Sequence, residues 1–133
     1  QLVKELCEKL HLKSKEQVLD IGSGMGATAF YMAKTYGVFV TGIDVSSNQI
    51  NFSMERANNE KNEQVHFEIG DVTHRNYKPN SFDAIYSKEV FLHIPDAKKL
   101  IKLCYVSFID VWNILCCGGC ALYMLSNLNV LII

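Results

Sequence analysis

Four polar residues stand where predicted β-strands end, and their types would suit a nucleoside ligand. They are Asp20, Asp44, Asp71 and Ser87. The carboxyl ends of parallel strands share one edge of a sheet, so we expect these side chains to converge there. Asp44 could accept two hydrogen bonds from ribose hydroxyls, and Asp71 could accept one from an adenine amine beside Val72. Each acid alone could equally be a solvated loop residue, but the set favours a ligand site.

A glycine-rich turn follows the first of these strands. Gly22, Gly24 and Gly26 alternate directly after the apolar run 17–21, and helical spacing resumes at Ala27. Glycine lets a backbone come close to a ligand, and the start of the next helix presents free N–H groups. The segment therefore predicts the strand–turn–helix cradle that α/β proteins use for nucleotides.

Two cofactor classes compete for this cradle. The spacing Gly22-x-Gly24-x-x-Ala27, with Asp44 22 residues after Gly22, matches the loose dinucleotide fingerprint. However, Asp20 would place a carboxylate beside the cradle, where it would repel a pyrophosphate. S-adenosylmethionine (AdoMet) has no phosphate, and its ammonium and sulfonium charges are compatible with an acid there. Together with Asp71 after the third strand, this favours AdoMet over NAD.

The elements that must position these residues follow from hydrophobic periodicity. We predict helices over 2–11, 26–36 and 47–60 and a further helix from Asp96, with strands over 17–21, 38–43, 65–69 and 82–87. Gly37 should end the second helix, and Ser46 and Gln49 have the spacing of a capping box at the start of the third. Because strands and helices alternate, we expect a Rossmann-like α/β domain with a parallel sheet.

Length and composition limit the classes of protein to which the chain can belong. With 133 residues and 49% hydrophobic side chains, the chain is one domain with a core, and its net charge of −1 argues against nucleic-acid binding. The four His are scattered without metal-ligand spacing, and five Cys, an odd number, favour reduced thiols. We expect a cytoplasmic monomer that acts on a small molecule and has no metal, nucleic-acid or membrane partner.

Five stretches of the sequence match a known family. They are VLDIGSGMG (18–26), GIDVSSN (42–48), GD (70–71), NSFDAIYSKEVFLHIPD (80–96) and Lys99-Leu100. Through them, residues 17–103 resemble class I AdoMet-dependent methyltransferases, and within that group the phosphoethanolamine N-methyltransferases of nematodes, plants and protozoan parasites. Many methyltransferases share the first stretch, whereas the fourth is more diagnostic.

The resemblance implies a role for each matching residue. Ten residues would contact AdoMet: Asp20, Gly22, Ser23 and Gly24 at its methionine part, Asp44 at the ribose, Val45, Asp71 and Val72 at the adenine, and Ser87 and Lys88 along its length. His93 matches the family's catalytic histidine, and imidazole can take an amine proton near neutral pH. The alternative for His93 is a loop residue that caps the helix from Asp96.

The sequence also departs from the family pattern. The family's Arg-Asp after the fourth strand is Lys88-Glu89 here, which preserves the charges but not the bidentate reach of arginine. Glu89 is the implied substrate-binding residue at this place. The family's tyrosine partner for the histidine, and most of the residues that grip the substrate phosphate, fall outside this sequence.

The end of the chain carries no charge, since all 13 Lys and Arg and all 14 Asp and Glu lie at or before Asp110. We expect a fifth strand at 120–125 and a sheet truncated after about that strand. We assign 1–126 to an incomplete AdoMet-binding domain and 127–133 to an apolar tail, in a fragment or a gene product that runs into non-coding sequence. A membrane-spanning segment over 111–133 and half a metal site at Cys116, Cys117 and Cys120 are the alternatives.

The expected activity is AdoMet-dependent N-methylation of phosphoethanolamine or its methylated forms, a phosphobase reaction that leads to phosphocholine. Within enzymes, the alternative is another small-molecule methyltransferase, such as a sterol or quinone C-methyltransferase. From a different class, the alternative is a cofactor-binding remnant without activity.

Overall fold

The computed structural model describes residues 2–88, 114–117, 123–124 and 130–132. Its helices are α1 (Leu2–Lys9), α2 (Ala27–Tyr36) and α3 (Ser47–Asn59), with a short 3-10 helix, η1, at Val72–His74. Its strands are β1 (Gln17–Ile21), β2 (Phe39–Asp44), β3 (Val65–Ile69), β4 (Ala84–Lys88), β5 (Ile114–Cys117), β6 (Tyr123–Met124) and β7 (Val130–Ile132).

The strands form one sheet in the order β3-β2-β1-β4-β5-β7-β6. Neighbours are parallel from β3 through β5 and on to β7, and only β6 pairs antiparallel with β7. This confirms the predicted Rossmann-like parallel sheet. The predicted bounds of β1 and β3 match the structure, and those of β2 and β4 differ by one or two residues.

The end of α2 and the burial pattern of β3 follow their predicted local signals. α2 ends at Gly37, which adopts the left-handed region with a φ of 68° and donates its N–H to the Ala33 carbonyl at 3.0 Å. In β3, Val65 and Phe67 are buried and His66 between them is exposed, which is the alternation of a strand with one covered face.

The sheet departs from prediction after β4. The fifth strand is Ile114–Cys117, ahead of the glycine pair, because that apolar stretch pairs with β4 in the register Ile85↔Ile114. β7 and β6 then extend the sheet beyond β5. These strands have three and two residues, too few to produce a recognisable period in the sequence.

One cluster of buried side chains joins the three α-helices to the sheet. α1 and the turn after it contribute Cys7 and Leu10, α2 and α3 contribute Ala29, Phe30, Met32, Ala33, Ile50 and Ala57, and the strands contribute Val18, Val40, Val65, Phe67, Ala84 and Tyr86. On the opposite face of β1, Leu19 and Ile21 are each only 1% exposed. A strand buried on both faces reads as a continuous apolar run, which is why 17–21 stood out in the sequence. The end of β1 is therefore rigidly held.

Among the residues described, no helix combines the length and apolarity needed to cross a bilayer. No group of three or more His, Cys, Asp or Glu in the same ranges could hold a metal ion. Most of 111–133, including Cys120, lies outside them.

Candidate cofactor site

The predicted site lies where the strand order reverses. β2 and β3 lie on one side of β1, and β4 lies on the other. Open α/β sheets bind ligands in the crevice that such a reversal creates at the carboxyl ends of the strands. The register places Ile21 beside both Ile43 and Ser87, and Asp44 beside Ile69. The sequence prediction that these strand ends converge is confirmed for β1 to β4.

The three glycines of the turn adopt positive φ angles, the conformation that glycine makes possible. Gly22, Gly24 and Gly26 have φ values of 74°, 54° and 79°, a region that strains residues with a side chain. The N–H groups of Gly22 and Ser23 both donate to the Ile43 carbonyl, at 2.8 and 3.2 Å. The turn is therefore bonded directly to the end of β2, and α2 begins immediately after Gly26.

Asp44 holds the turn from the end of β2. Its Oδ2 accepts the Gly24 N–H at 2.9 Å, and its Oδ1 accepts the Ser46 N–H at 2.8 Å. A carboxylate has about four lone-pair sites, so each oxygen can accept one further hydrogen bond. Asp44 is thus fixed in orientation and still able to accept from a diol such as a ribose.

The capping box predicted for Ser46 and Gln49 is wrong. Ser46 is the N-cap of α3, but its side chain makes no capping hydrogen bond. The Ser46 N–H, which Gln49 should have bonded, is taken by Asp44. Gln49 instead turns toward the glycine turn, where its Oε1 would lie 2.8 Å from a Cβ built on Gly24. The nearby carboxylate replaced the local cap, because a charged acceptor makes the stronger hydrogen bond.

Sequence reasoning missed Ser53. It is fully buried on α3, and its Oγ lies 3.0 Å from the Gly24 carbonyl and 2.9 Å from the Gln49 carbonyl. The available signal was its place in the apolar stripe of α3, between Ile50 and Ala57, both buried. A hydroxyl on the buried side of a helix needs a partner, and here the glycine turn provides one.

Asp20 is a buried carboxyl group with an unused oxygen. It is 2% exposed, and its Oδ2 has no hydrogen-bond partner among the residues described. Burial, reinforced by the charge of Asp44, raises the pKa of Asp20 to about 7. Buried polar atoms in native proteins almost always have a partner. A cationic group bound here would satisfy the oxygen and favour its charged form.

Two further predicted site residues share this property. Ser23 is 9% exposed and Ser87 is fully buried, and neither Oγ has a partner within the described ranges. Ser23 belongs to the glycine turn, and Ser87 lies beside Ile21 across the β1–β4 pair. Unpartnered polar atoms therefore border the end of β1 on two sides, which suits a polar ligand.

The adenine end of the predicted site has a different character. Asp71 is exposed, and its Oδ1 accepts from Thr73 N at 2.8 Å and from Thr73 Oγ1 at 2.7 Å. These two hydrogen bonds, with the nearby His74, lower the pKa of Asp71. Val72 is only 4% exposed, so its side chain packs inward, whereas Val45 is 73% exposed next to Asp44. Val45 is therefore the better placed of the two to cover a ring.

Three of the predicted site residues lie partly or wholly outside the residues that the structure describes. Lys88 ends β4, but its side chain is outside the described part of the structure, as are His93 and Glu89 altogether. Their predicted roles in lining the cofactor, in proton transfer and in substrate binding stay predictions.

Comparison with known proteins identifies the class. A family model described as a methyltransferase domain matches residues 12–116, so the chain belongs to the methyltransferase domain family. The family uses S-adenosylmethionine as its methyl donor. The fold is the Rossmann-like fold of class I methyltransferases, as the resemblance implied.

Similar proteins narrow the comparison within that family. Phosphoethanolamine N-methyltransferase 1 of Triticum aestivum is 45% identical over 102 residues, which is 77% of this chain and 20% of that protein. The Plasmodium falciparum phosphoethanolamine N-methyltransferase is 35% identical over 107 residues, 79% of this chain and 40% of that protein. The solved structure of Haemonchus contortus phosphoethanolamine N-methyltransferase 2, in complex with phosphomonomethylethanolamine and S-adenosylhomocysteine, matches with a TM-score of 0.79 and 30% identity, over 82% of this chain and 26% of that one. The chain thus spans less than half of each.

Proposed function

We propose that this chain binds AdoMet at the carboxyl edge of its sheet and takes part in N-methylation of phosphoethanolamine or its methylated forms. The observation that carries the cofactor assignment is Asp20, a buried carboxyl group with an unpartnered oxygen beside the glycine turn. The ammonium and sulfonium charges of AdoMet suit this oxygen, whereas a pyrophosphate would be repelled. The similarity to three phosphoethanolamine N-methyltransferases supports phosphoethanolamine or its methylated forms as the methyl acceptor.

The predicted contacts follow the elements of the site. Asp20, the turn residues Gly22, Ser23 and Gly24, and Ser87 would surround the methionine part. Asp44 would accept from the ribose hydroxyls through the lone pairs that its two backbone hydrogen bonds leave unused. Val45 would cover one side of the adenine, while Asp71 and the backbone of Val72 would read its edge. Lys88 would line the cofactor as the last residue of β4.

The reaction requires little covalent chemistry from the protein. AdoMet would supply an electrophilic methyl group, and the acceptor amine must reach it in line and with a free lone pair, so most of the catalytic effect is positioning. His93 would accept the amine proton, since imidazole titrates near neutral pH. Glu89 would contact the cationic part of the acceptor.

Calorimetry followed by a methyl-transfer assay tests the proposal. The chain is titrated with AdoMet and with S-adenosylhomocysteine, and labelled methyl transfer is then measured with phosphoethanolamine and its mono- and dimethyl forms. We expect saturable binding of one AdoMet per chain and methylation of at least one of these phosphobases.

Each contrary outcome has a distinct meaning. Folded protein that does not bind AdoMet overturns the cofactor assignment. Binding without transfer to any phosphobase overturns the activity and leaves a cofactor-binding domain. Transfer to a sterol or a quinone, with none to phosphobases, overturns the acceptor class. Location in the cytoplasm and the monomeric state stay predictions, to be checked by fractionation and by size-exclusion chromatography with light scattering.

A further inference from the structure

Gly24 is held at both of its backbone polar groups by side chains from later elements. Its N–H donates to Asp44 Oδ2 at 2.9 Å, and its carbonyl accepts from Ser53 Oγ at 3.0 Å. Asp44 ends β2 and Ser53 lies in the middle of α3, 20 and 29 residues further along the chain. The two hydrogen bonds therefore connect the glycine turn to two separate elements.

The carbonyl contact determines how the next peptide group is oriented. Gly24 has a φ of 54° and no side chain to restrict it. In a planar trans peptide the C=O and the following N–H point in opposite directions. Because Ser53 binds the Gly24 carbonyl on the α3 side, the Met25 N–H points away from α3. Without the hydroxyl, this peptide could rotate, and the turn would lose one fixed donor direction.

Ser53 has a competing, purely local use. Its Oγ also lies 2.9 Å from the carbonyl of Gln49 in the preceding helical turn, a common arrangement for serine inside a helix. One hydroxyl hydrogen is shared between these two acceptors. If the contact to Gln49 were the only one that mattered, Ser53 would affect α3 alone.

We propose that Ser53 is a positioning residue for the methyl donor: with Asp44, it holds Gly24 so that the glycine turn keeps the shape that the donor requires. The inference rests on the proposed AdoMet site. Ser53 is fully buried and would touch neither the donor nor the acceptor, so it acts only through Gly24.

The test compares Ser53→Ala with a matched change on the same helix. Ser53→Ala removes the hydroxyl without adding atoms, and Asn51→Ala removes an exposed polar group from α3. AdoMet dissociation constants are measured by calorimetry at a temperature where thermal unfolding shows every variant to be folded. One hydrogen bond typically contributes about 0.5–1.5 kcal/mol, so Ser53→Ala should weaken binding roughly threefold to tenfold. Asn51→Ala should not change it.

A second readout does not depend on ligand binding. Amide hydrogen exchange of the unliganded protein should accelerate at Gly24 in Ser53→Ala, while exchange at Leu19 in β1 stays unchanged. A double-mutant cycle with Asp44→Ala should show less than additive loss of affinity, because both changes release the same residue. Ser53→Cys, which keeps the size and a weak donor, should lie between wild type and Ser53→Ala and replaces it if the alanine variant does not fold.

The outcomes separate this inference from the proposed function. If wild type binds AdoMet and Ser53→Ala binds it equally well with unchanged Gly24 exchange, the positioning role is wrong and the cofactor site stands. A lower melting temperature with unchanged affinity likewise assigns Ser53 to helix stability only. If wild type does not bind AdoMet, the proposed function fails, and faster Gly24 exchange in Ser53→Ala would still show that Ser53 holds the turn.

Discussion

The ring of Phe67 occupies the space where a side chain on Gly42 would stand. A Cβ built on Gly42 would lie 2.7 Å from Phe67 Cδ1 and 2.8 Å from the Cβ of Ser23. Cζ of the same ring lies 2.7 Å from where Gly26 would carry a Cβ, and Cε1 lies close to both positions. Phe67 therefore packs beneath the glycine turn. Its ring fits there because Gly42 in β2 and Gly26 in the turn have no side chains.

Replacing Gly42 by alanine should disturb both the core and the site. The added methyl group must displace Phe67 or Ser23, and overpacking of this kind typically costs about 1–3 kcal/mol. Because Ser23 belongs to the turn, AdoMet affinity should fall as well. Chemical denaturation and calorimetry measure the two effects.

The pairing with Phe67 provides the control for that substitution. In Phe67→Ala, the ring atoms that oppose Gly42, including Cδ1, are gone, so Gly42→Ala should cost less free energy of unfolding in that background than in wild type. Equal costs in both backgrounds would show that the ring does not limit residue 42.

Asp44→Ala should weaken AdoMet binding at least tenfold. The variant loses the proposed ribose acceptor and also the acceptor for the Gly24 N–H, and a charged hydrogen-bond partner typically contributes about 1.5–3 kcal/mol. The affinity is measured by calorimetry below the melting temperature. Asp83→Ala is the matched control, because Asp83 Oδ2 accepts the Gln17 N–H at 2.7 Å at the opposite end of β1. It should leave the affinity unchanged, and an equal loss in both variants would assign Asp44 to general stability.

The unliganded protein should become less stable as pH rises toward neutrality because of Asp20. The pKa of Asp20 is about 7 in the folded protein, whereas its ordinary value is 3.8. Between these two pH values the folded state therefore binds more protons than the unfolded state. The Asp20 contribution to stability therefore falls from about pH 4 to 7, with a slope that approaches about 1.4 kcal/mol per pH unit. Because the carboxyl group is half ionised at its folded pKa, the penalty is complete about one pH unit above it, at about pH 8.

Asp20→Asn isolates that contribution from other titrating groups, including Asp71, whose lowered pKa acts in the opposite direction. The variant should lack this slope and exceed wild type in stability at pH 8, while binding AdoMet far more weakly. Urea unfolding from pH 5 to 8 measures it. Parallel pH profiles for the two proteins would contradict the proposed burial of the charge. Asp44 and Cys7 are the titratable groups that interact electrostatically with Asp20. The pKa of Cys7 is raised to about 12, so Cys7 does not titrate between pH 5 and 8.

His93→Ala should preserve AdoMet binding and reduce methyl transfer. A positioned general base typically contributes a factor of about 10²–10⁴ in rate. Single-turnover methylation of phosphoethanolamine at saturating AdoMet measures the chemical step, and His66→Ala, an exposed histidine on β3, serves as the control. Equal losses of binding and transfer in His93→Ala would indicate a structural role for this histidine.

The sequence was sufficient wherever a local pattern decided the structure. β1 and β3 have the predicted bounds because an apolar run and an alternating run leave little choice of register. The turn at Gly22 to Gly26 followed from the glycines themselves. The position of Asp44 followed from its place at a strand end.

Contacts between distant residues could not be predicted in the same way. The hydrogen bond from Ser53 to Gly24 joins residues 29 apart and depends on how α3 packs against the glycine turn. Asp44 lies only two residues from Ser46, but the orientation of its carboxylate depends on its other hydrogen bond, to Gly24. The unused oxygen of Asp20 depends on how deeply β1 is buried. β6 and β7 are too short to produce a pattern at all.

The bonds that shape the glycine turn have a consequence for how the protein is made. Ile43, Asp44, Ser53 and Phe67 each bond the turn or pack beneath it. All of them lie between the turn and the end of β3, so none of these contacts requires the chain beyond residue 69. The earlier part of a chain emerges first during synthesis. We therefore expect the turn to take its final shape on the ribosome as soon as β3 has emerged, before β4 completes the crevice.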